Sequence, residues 1–374
     1  MTSFWDDVPL PIVGLYPRDG GTDHTFRHIQ KKYGKPAILY TEFTSVEGVC
    51  HGATRLLTDF LFDETQRPIV AQIYGTTPSF FRQTATILCE LGFDGIDINM
   101  GCPAKTVAHS GAGAALIQTP ELALEIIRET KAGVADYFAG KRAKDCADIS
   151  DEIALEVAHR HTLLPKEYQY QTGQKNSNGE DFLLPVSVKT RVGYNEKVAE
   201  WWTKTLLQEE PAVIAMHGRT LKQQYGGLAD WEEIAKGASV VATHNQTNNT
   251  KIKFLGNGDV TTYEDAIQKV QKYGVDGILI GRSTFGNPFV FVDQNNQPSN
   301  EYQIYEIALE HARLYEETYQ HGERYSFLPM RKHLGWYVKG IPQASTIRQA
   351  VFRTNTSSEV ESLFKEYGLL NQSM

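Results

Sequence analysis

Short apolar runs alternate with helical patterns along most of the chain, and this repeat restricts the fold more than any other feature. The runs are almost continuously apolar, as in parallel strands that are buried on both faces. Eight strands are predicted, at Pro11–Leu15, Ala37–Tyr40, Ile69–Tyr74, Gly95–Asn99, Val186–Arg191, Val213–His217, Lys253–Gly256 and Gly277–Ile280. The repeat predicts an α/β fold, a (β/α)8 TIM barrel. A doubly wound open sheet fits less well because no G-x-G-x-x-G follows an early strand.

Apolar residues at helical spacing lie between most of the predicted strands. The clearest of these helical stretches are Pro78–Leu91, Pro120–Lys131, Lys197–Glu209 and Tyr263–Tyr273. Residues 136–183 do not fit the repeat and contain one helical piece, Ser150–His161. We interpret them as an insertion before the fifth strand, a surface elaboration without a chemical role.

The pattern changes from about residue 295, where a turn-rich segment leads into helical stretches. These stretches are Tyr302–His321, Tyr325–Lys339, Ser345–Thr354 and Glu359–Tyr367. The chain of 374 residues therefore divides into a barrel at 1–294 and a small all-helical domain at 295–374, since a barrel typically needs about 250 residues.

The charge is distributed unevenly. The formal net charge of −8 argues against general affinity for nucleic acid, so any such contact has to be local. One stretch of the helical domain has six basic residues and no acidic ones, namely Arg324, Arg331, Lys332, Lys339, Arg348 and Arg353. Aromatic residues lie among them, which suits RNA binding, whereas a solvated helix face above core aromatics explains the composition equally well.

The four cysteines, Cys50, Cys89, Cys102 and Cys146, show neither a CxxC nor a zinc-ligand spacing. No apolar run is long enough to span a bilayer, and the N-terminal residues do not resemble a secretory signal. We therefore expect a reduced, cytoplasmic protein without a metal or a membrane partner.

Polar residues follow several of the predicted strands directly. Gln72 and Asn99 end the third and fourth, and Lys189 and Arg191 end the fifth. His217, Arg219, Asn257, Asp259 and Arg282 follow the remaining three. Barrel active sites lie at the carboxyl ends of the strands, so this distribution predicts a site there.

The segment Gly92–Leu116, with its Gly-Cys-Pro loop, resembles the active-site signature of tRNA-dihydrouridine synthases. Further segments resemble that family in the same order: PVSVKTRVG, MHGRTLKQQYGGLADW, GNGDV, DGILIGRSTFGNPFVF and MRKHLGWYVKG. The resemblance implies reduction of a uridine C5–C6 double bond in tRNA, with hydride from reduced FMN that NADPH regenerates. It also implies that Cys102 is the proton donor, because a thiol is protonated at neutral pH.

The resemblance further implies individual binding residues. The cofactor-binding residues would be Pro17, Gln72, Lys189, His217, Asn257, Gly258, Asp259, Gly281 and Arg282, the last five forming a phosphate site. The residues that hold the substrate nucleotide would be Asn99, Lys105, Arg191 and Arg219. A base in folded RNA has to be flipped out at a cost of a few kcal/mol. We expect tRNA as the partner and a monomeric protein.

The first strand departs from the family pattern. The family has Ala-Pro-Met and then Gly-x-Thr-Asp, whereas this chain has Tyr16 in place of the Ala and Arg18 in place of the Met. Two alternatives to tRNA uridine reduction stay open, and the Arg18 departure permits the second of them. One is a flavin-dependent reductase of small pyrimidines or enones, and the other is an RNA-binding descendant with weakened catalysis.

Overall fold

A computed structural model describes residues 3–175, 179, 182–297, 303–322 and 325–370. These residues contain one eight-stranded parallel sheet. Its strands are β1 (Ile12–Leu15), β2 (Leu39–Ser45), β3 (Ile69–Tyr74), β4 (Gly95–Met100), β5 (Val186–Gly193), β6 (Val213–Thr220), β7 (Lys253–Asn257) and β8 (Gly277–Ile280). Each overlaps one of the predicted strands, and the largest difference is at β2, which runs further toward the chain's C-terminus than predicted.

The described helices surround the sheet or follow it. They are α1 (Phe4–Asp7), α2 (His24–Gly34), α3 (Val46–Cys50), α4 (Pro78–Glu90), α5 (Lys105–His109), α6 (Pro120–Phe138), α7 (Asp151–Leu163), α8 (Ala199–Leu206), α9 (Trp231–Asn248), α10 (Tyr263–Tyr273), α11 (Gln303–Tyr319), α12 (Leu328–Tyr337), α13 (Ala344–Val351) and α14 (Ser357–Glu366).

The sheet closes on itself. Its strands follow the order β1-β8-β7-β6-β5-β4-β3-β2, with Ile12 opposite Gly277 where β1 meets β8. At the other edge, the Leu15 N–H donates to the Ile38 carbonyl at 3.0 Å, and the Ala37 N–H donates to the Val13 carbonyl at 2.9 Å. The sheet is therefore a (β/α)8 TIM barrel, as predicted.

Two layers of apolar side chains hold the barrel together. The interior layer fills the centre and consists mainly of β-branched and leucine residues, among them Ile12, Ile38, Val70, Val213, Leu255 and Leu279. A larger outer layer joins the strands to the surrounding helices. The filled interior leaves the carboxyl ends of the strands as the place where a ligand can enter.

The segment that the sequence assigned to an insertion contributes to the outer layer. α6 continues to Phe138, beyond the predicted Lys131 and into residues 136–183. α7 agrees closely with the predicted helical piece and buries Ile153 and Val157 in the same core as the barrel strands. The later residues 176–178 and 180–181 lie outside the described residues.

The C-terminal helices α11–α14 pack around a core of their own, which includes Leu334 and Phe364 and also Ile29 of the barrel helix α2. Phe285 and Trp336 stack across the junction with the barrel, with ring centres 3.9 Å apart. The division of the chain at residue 295 stays a prediction, and its linker residues 298–302 lie outside the described residues.

None of the described helices is both long enough and apolar enough to cross a membrane.

We expect Gly277→Ala to lower the free energy of unfolding by about 1–3 kcal/mol, the usual cost of overpacking. A Cβ at this position would lie 2.2 Å from the Ile12 carbonyl oxygen, so β1 and β8 could not keep their spacing. Urea denaturation would measure the loss. The control is Gly322→Ala, at an exposed position where the nearest atom to a Cβ is 3.3 Å away. Equal stability of the two variants would contradict this account of barrel closure.

Candidate active site

Two cavities open side by side at the carboxyl ends of the strands. The first, which we call the cysteine cavity, has a volume of about 390 Å³ and is lined by Pro17, Gln72, Asn99, Cys102, Lys105 and Lys189 among others. The second, the Arg282 cavity, has a volume of about 340 Å³ and is lined by His217, Asn257, Gly258, Asp259, Gly281 and Arg282 among others. Folding thus brings these sequence-predicted residues together in two groups.

Arg191 and Arg219 do not line either cavity, although both were predicted to hold substrate. Both are almost fully buried and are engaged with the protein itself. The Arg191 Nε–H donates to the Gly101 carbonyl at 2.7 Å. The Arg219 guanidinium pairs with the Asp259 carboxylate at 2.7 Å. These contacts indicate that the two arginines support the loops around the cavities.

Asn99 fixes the backbone of the cysteine loop. Its Oδ1 accepts hydrogen bonds from the N–H groups of Gly101 at 3.0 Å and Cys102 at 2.9 Å. Its Nδ2 donates to the Gln72 Oε1 at 3.0 Å. These bonds occupy the carbonyl oxygen and one of the two N–H groups of the Asn99 amide, so the side chain positions the thiol, and its contact with substrate stays a prediction.

The series of hydrogen bonds from Asn99 to Gln72 continues into the barrel interior and ends at the buried Asp97 carboxylate. The Gln72 Nε2 donates to one oxygen of Asp97 at 2.6 Å, and the Ser187 hydroxyl donates to the other at 2.6 Å. The sequence analysis missed Asp97 and Ser187. A signal existed for Asp97, because it is a charged residue inside an apolar strand, two positions before Asn99 and so on the same face.

Burial raises the pKa of the Cys102 thiol above its ordinary value, while the Ala104 backbone N–H and the nearby Arg191 guanidinium lower it in part. The net direction is upward, so the thiol keeps its proton at neutral pH. A protonated thiol in a cavity is suited to act as a general acid.

Lys189 presents a buried ammonium group to the same cavity. Burial and the neighbouring Arg191 lower its pKa to about 7, against the opposing effect of Asp97. Burial raises the Asp97 pKa to about 6. Among the described residues, the Lys189 Nζ has no hydrogen-bond acceptor and instead lies 3.8 Å from the centre of the Tyr16 ring. A ligand with an acceptor atom would supply the missing partner.

The Arg282 cavity is built from the loops that follow β7 and β8. Gly258 and Asp259 take φ values of +132° and +52°, so the chain turns sharply there. The Asp259 carboxylate accepts from Arg282 at 2.6 Å as well as from Arg219, which holds the Arg282 guanidinium at the rim. A barrel commonly binds phosphate at these two loops, and a guanidinium fork matches a phosphate.

His217 lies between the cationic groups of both cavities. Burial and the charges of Arg191, Lys189 and Arg219 hold its pKa well below the ordinary value, so the ring is neutral. Its Nδ1 is buried and has no hydrogen-bond partner within the described structure. This is a second buried polar group at the barrel mouth for which a ligand would provide the partner.

A separate groove of about 860 Å³ crosses the C-terminal helices and is both basic and aromatic. Its lining includes Arg331, Lys332, Lys339, Arg348, Trp336 and Phe352, and none of the described residues that line it is acidic. Four residues of the predicted basic patch therefore share one groove. Arg353 does not line it, and Arg324 lies outside the described residues.

The sequence predicted no metal. Within the described residues, Asp23, His311 and His333 form a group whose ligand atoms lie within 4.8 Å of one another. The His333 Nε2 is 3.2 Å from the Asp23 carboxylate, and the His311 Nε2 is 3.2 Å from the Thr25 hydroxyl. These contacts link α2 to the C-terminal helices, and they explain the group as a junction between polar side chains.

Comparison with known proteins agrees with this geometry. Residues 14–140 and 174–371 match the family model described as dihydrouridine synthase (Dus). The chain belongs to the dihydrouridine synthase family. A relative from Staphylococcus aureus (strain COL), named a probable tRNA-dihydrouridine synthase, is 31% identical over 98% of this chain and 95% of its own. A Bacillus subtilis (strain 168) relative, named probable tRNA-dihydrouridine synthase 2, is 32% identical over 98% and 96%.

The dihydrouridine synthase model leaves residues 141–173 unmatched, and this gap falls inside the predicted insertion at 136–183. The gap contains α7, which packs into the barrel core. The segment that distinguishes this chain from the family model therefore lies beside the barrel and does not line either of the two cavities at its mouth.

We expect alkylation of Cys102 by iodoacetamide to accelerate with rising pH without a plateau near neutrality, because burial raises the thiol pKa in the folded state. Mass spectrometry of peptides labelled between about pH 6 and about pH 10 would measure the rate. In the unfolded control, all four cysteines should titrate near the ordinary value of about 8.5. A rate that is already maximal at neutral pH would mean that Cys102 is a thiolate and not an acid.

Proposed function

We propose that this protein is a flavin-dependent enzyme that reduces the C5–C6 double bond of a uridine in tRNA to 5,6-dihydrouridine. The observation that carries the proposal is the placement in one cavity of the Cys102 thiol and of Lys189, whose Nζ has no hydrogen-bond acceptor among the described residues. Family membership and the names of the S. aureus and B. subtilis relatives support the same substrate class.

The two cavities fit the chemistry of FMN. Its phosphate suits the Arg282 cavity, where Asn257, Gly258, Gly281 and Arg282 would hold it. Its ring system has hydrogen-bond acceptors that suit the cysteine cavity, where Gln72, Lys189 and Pro17 would contact it. When bound and reduced, FMN supplies the hydride that no side chain can supply. We propose NADPH as the external reductant.

Cys102 would supply the proton. The Sγ–H bond breaks as a C–H bond forms at C5, while C6 receives the hydride, so the base gains two hydrogen atoms in all. The thiolate that remains lies near the cations Arg191 and Lys189, both of which lower the thiol pKa. They therefore stabilise the thiolate until it recovers a proton from solvent.

The Asn99–Gln72–Asp97 chain would orient the donor. Asn99 accepts hydrogen bonds from the backbone N–H groups of Gly101 and Cys102, and Asp97 accepts one from Gln72, which in turn accepts one from Asn99. Because catalytic proton transfer requires hydrogen-bond reach to the reacting atom, a rigid loop favours one position of the Sγ.

Substrate contact would come from the exposed side of the cavity and from the C-terminal helices. Lys105 is exposed at the cavity mouth, where a nucleotide phosphate can approach. The basic groove would bind the tRNA body, and its aromatic residues suit an RNA surface. We propose that the enzyme is monomeric, because residues of one chain line both cavities and the groove, and that it is cytoplasmic, because its proposed substrate is tRNA.

The second candidate is a reductase of free pyrimidines or enones. The cysteine cavity of about 390 Å³ does not separate the two candidates, since a free pyrimidine and a flipped nucleotide each present one base to it. The basic groove opposes it, because a small substrate needs no such surface.

We expect the purified protein, supplied with FMN, NADPH and an unmodified tRNA transcript, to convert uridine to dihydrouridine. Cys102→Ala should lower the rate by about 100-fold or more, the usual contribution of a general acid. Mass analysis of the nucleosides would detect the added hydrogen atoms. Cys146→Ala is the matched control and should keep its activity, because Cys146 packs in the barrel core. Reduction of free uracil without any tRNA product would instead favour the second candidate.

We expect replacement of Lys332 and Lys339 by Gln to weaken tRNA binding and to reduce its salt dependence, by about one unit of slope for each lost phosphate contact. Filter binding at several salt concentrations would measure both. Lys204→Gln with Lys272→Gln changes the net charge equally, at exposed positions on α8 and α10. If the two double variants behaved alike, the tRNA would not be held in the groove.

A further inference from the structure

Tyr16 lies on the boundary between the two cavities. Tyr16, Arg18 and Tyr225 line both of them, so these three side chains form the partition. Any ligand that occupies the phosphate-type site and the cysteine cavity at once has to pass between them. FMN, the cofactor of the proposed function, is a ligand of this kind, because it has a phosphate at one end and a ring system at the other.

The three side chains are held differently. Tyr225 is 55% exposed and belongs to the outer rim. The Arg18 guanidinium lies over the Phe285 ring, 5.0 Å from its centre. Tyr16 packs against the interior layer of the barrel, so it occupies the inner part of the partition.

The backbone of Tyr16 is held by a hydrogen bond, whereas its side chain is held only weakly. The Tyr16 N–H donates to the Ile280 carbonyl at 2.9 Å. The hydroxyl has no hydrogen-bond partner in the described part of the chain. The ring contacts the Lys189 ammonium, which lies 3.8 Å from its centre. Rotation of the side chain would therefore break one cation–π contact and no hydrogen bond.

We propose that Tyr16 is a gate for the cofactor. The Tyr16 ring competes with the cofactor for Lys189, so this ring has to move before one ligand can fill both cavities. The Lys189 Nζ faces the ring and has no acceptor among the described residues, so an acceptor atom of the flavin would replace the ring at the same cation. This inference rests on the proposed function for the identity of the ligand, and on the shared lining of the cavities for the gate.

The test is a titration of the cofactor-free full-length protein with FMN, followed by flavin fluorescence. A desolvated cation–π contact corresponds to about a 2- to 30-fold change in a binding constant, so Tyr16→Ala should tighten FMN binding within that range. Its association rate should also rise. Tyr16→Phe keeps the ring and its contact with Lys189, so it should bind as the original protein does.

Two further measurements test whether the change in FMN binding arises from Tyr16 and not from the Arg282 cavity or the outer rim. Thermal stabilisation by inorganic phosphate alone should be the same in Tyr16→Ala and the original protein, because phosphate needs only the Arg282 cavity. Tyr225→Ala should give a smaller gain than Tyr16→Ala, since Tyr225 lies at the rim. Tyr16→Leu serves in place of Tyr16→Ala if circular dichroism shows that the alanine variant does not fold.

The outcomes separate the gate from the proposed function. Weaker or unchanged FMN binding in Tyr16→Ala, with binding by the original protein intact, would overturn the gate and leave the proposed function standing. FMN binding by Tyr16→Ala alone would support the gate and show that the original chain is closed to flavin. No FMN binding by any variant would overturn both.

Discussion

Closure of the parallel sheet is the constraint on which the rest of the molecule depends. The β1–β8 pairing of Ile12 with Gly277 joins one edge, and the hydrogen bonds from Leu15 and Ala37 join the other. Because parallel strands in a closed barrel all end at one mouth, residues far apart in sequence meet there. Gln72, Asn99 and Lys189 lie on the directly paired strands β3, β4 and β5, whereas Tyr16, which follows β1, reaches Lys189 only because the sheet is closed. The filled interior confines their polar ends to the mouth.

Burial at that mouth has one electrostatic consequence for several groups. It favours the neutral form of each ionisable side chain, so it raises the pKa of Cys102 and lowers the pKa of Lys189 and His217. The thiol therefore retains its proton, and the imidazole is uncharged. Lys189 is balanced near neutrality, where a ligand with an acceptor atom or a negative charge would shift it to the charged form. The same low-polarity environment thus keeps the Cys102 thiol protonated and leaves Lys189 able to become charged when a ligand binds.

The sequence predicted the fold and the general place of the site because both depend on local patterns. The eight apolar runs identify the strands, and polar residues at their ends identify the mouth. Side-chain partners were not predictable in this way. The engagement of Arg191 with the Gly101 carbonyl depends on the pairing of β4 with β5, and Tyr16 meets Lys189 across the barrel. Those contacts follow from register and rotamer, which no single segment specifies. The role of residues 141–173 in the core was missed for the same reason, since α7 shows only a short apolar stripe.

The acidic net charge and the basic groove act over different distances. The overall charge of −8 repels a polyanion at long range, but salt at about 0.1 M screens such a field beyond about 10 Å. Lys332, Lys339 and Arg348 would act at contact distance, where release of counterions from each phosphate would supply the affinity. Binding of RNA would then depend on a few cations in one groove and not on the charge of the whole chain. Such an arrangement favours a substrate whose shape places its backbone in the groove while one base reaches the barrel mouth.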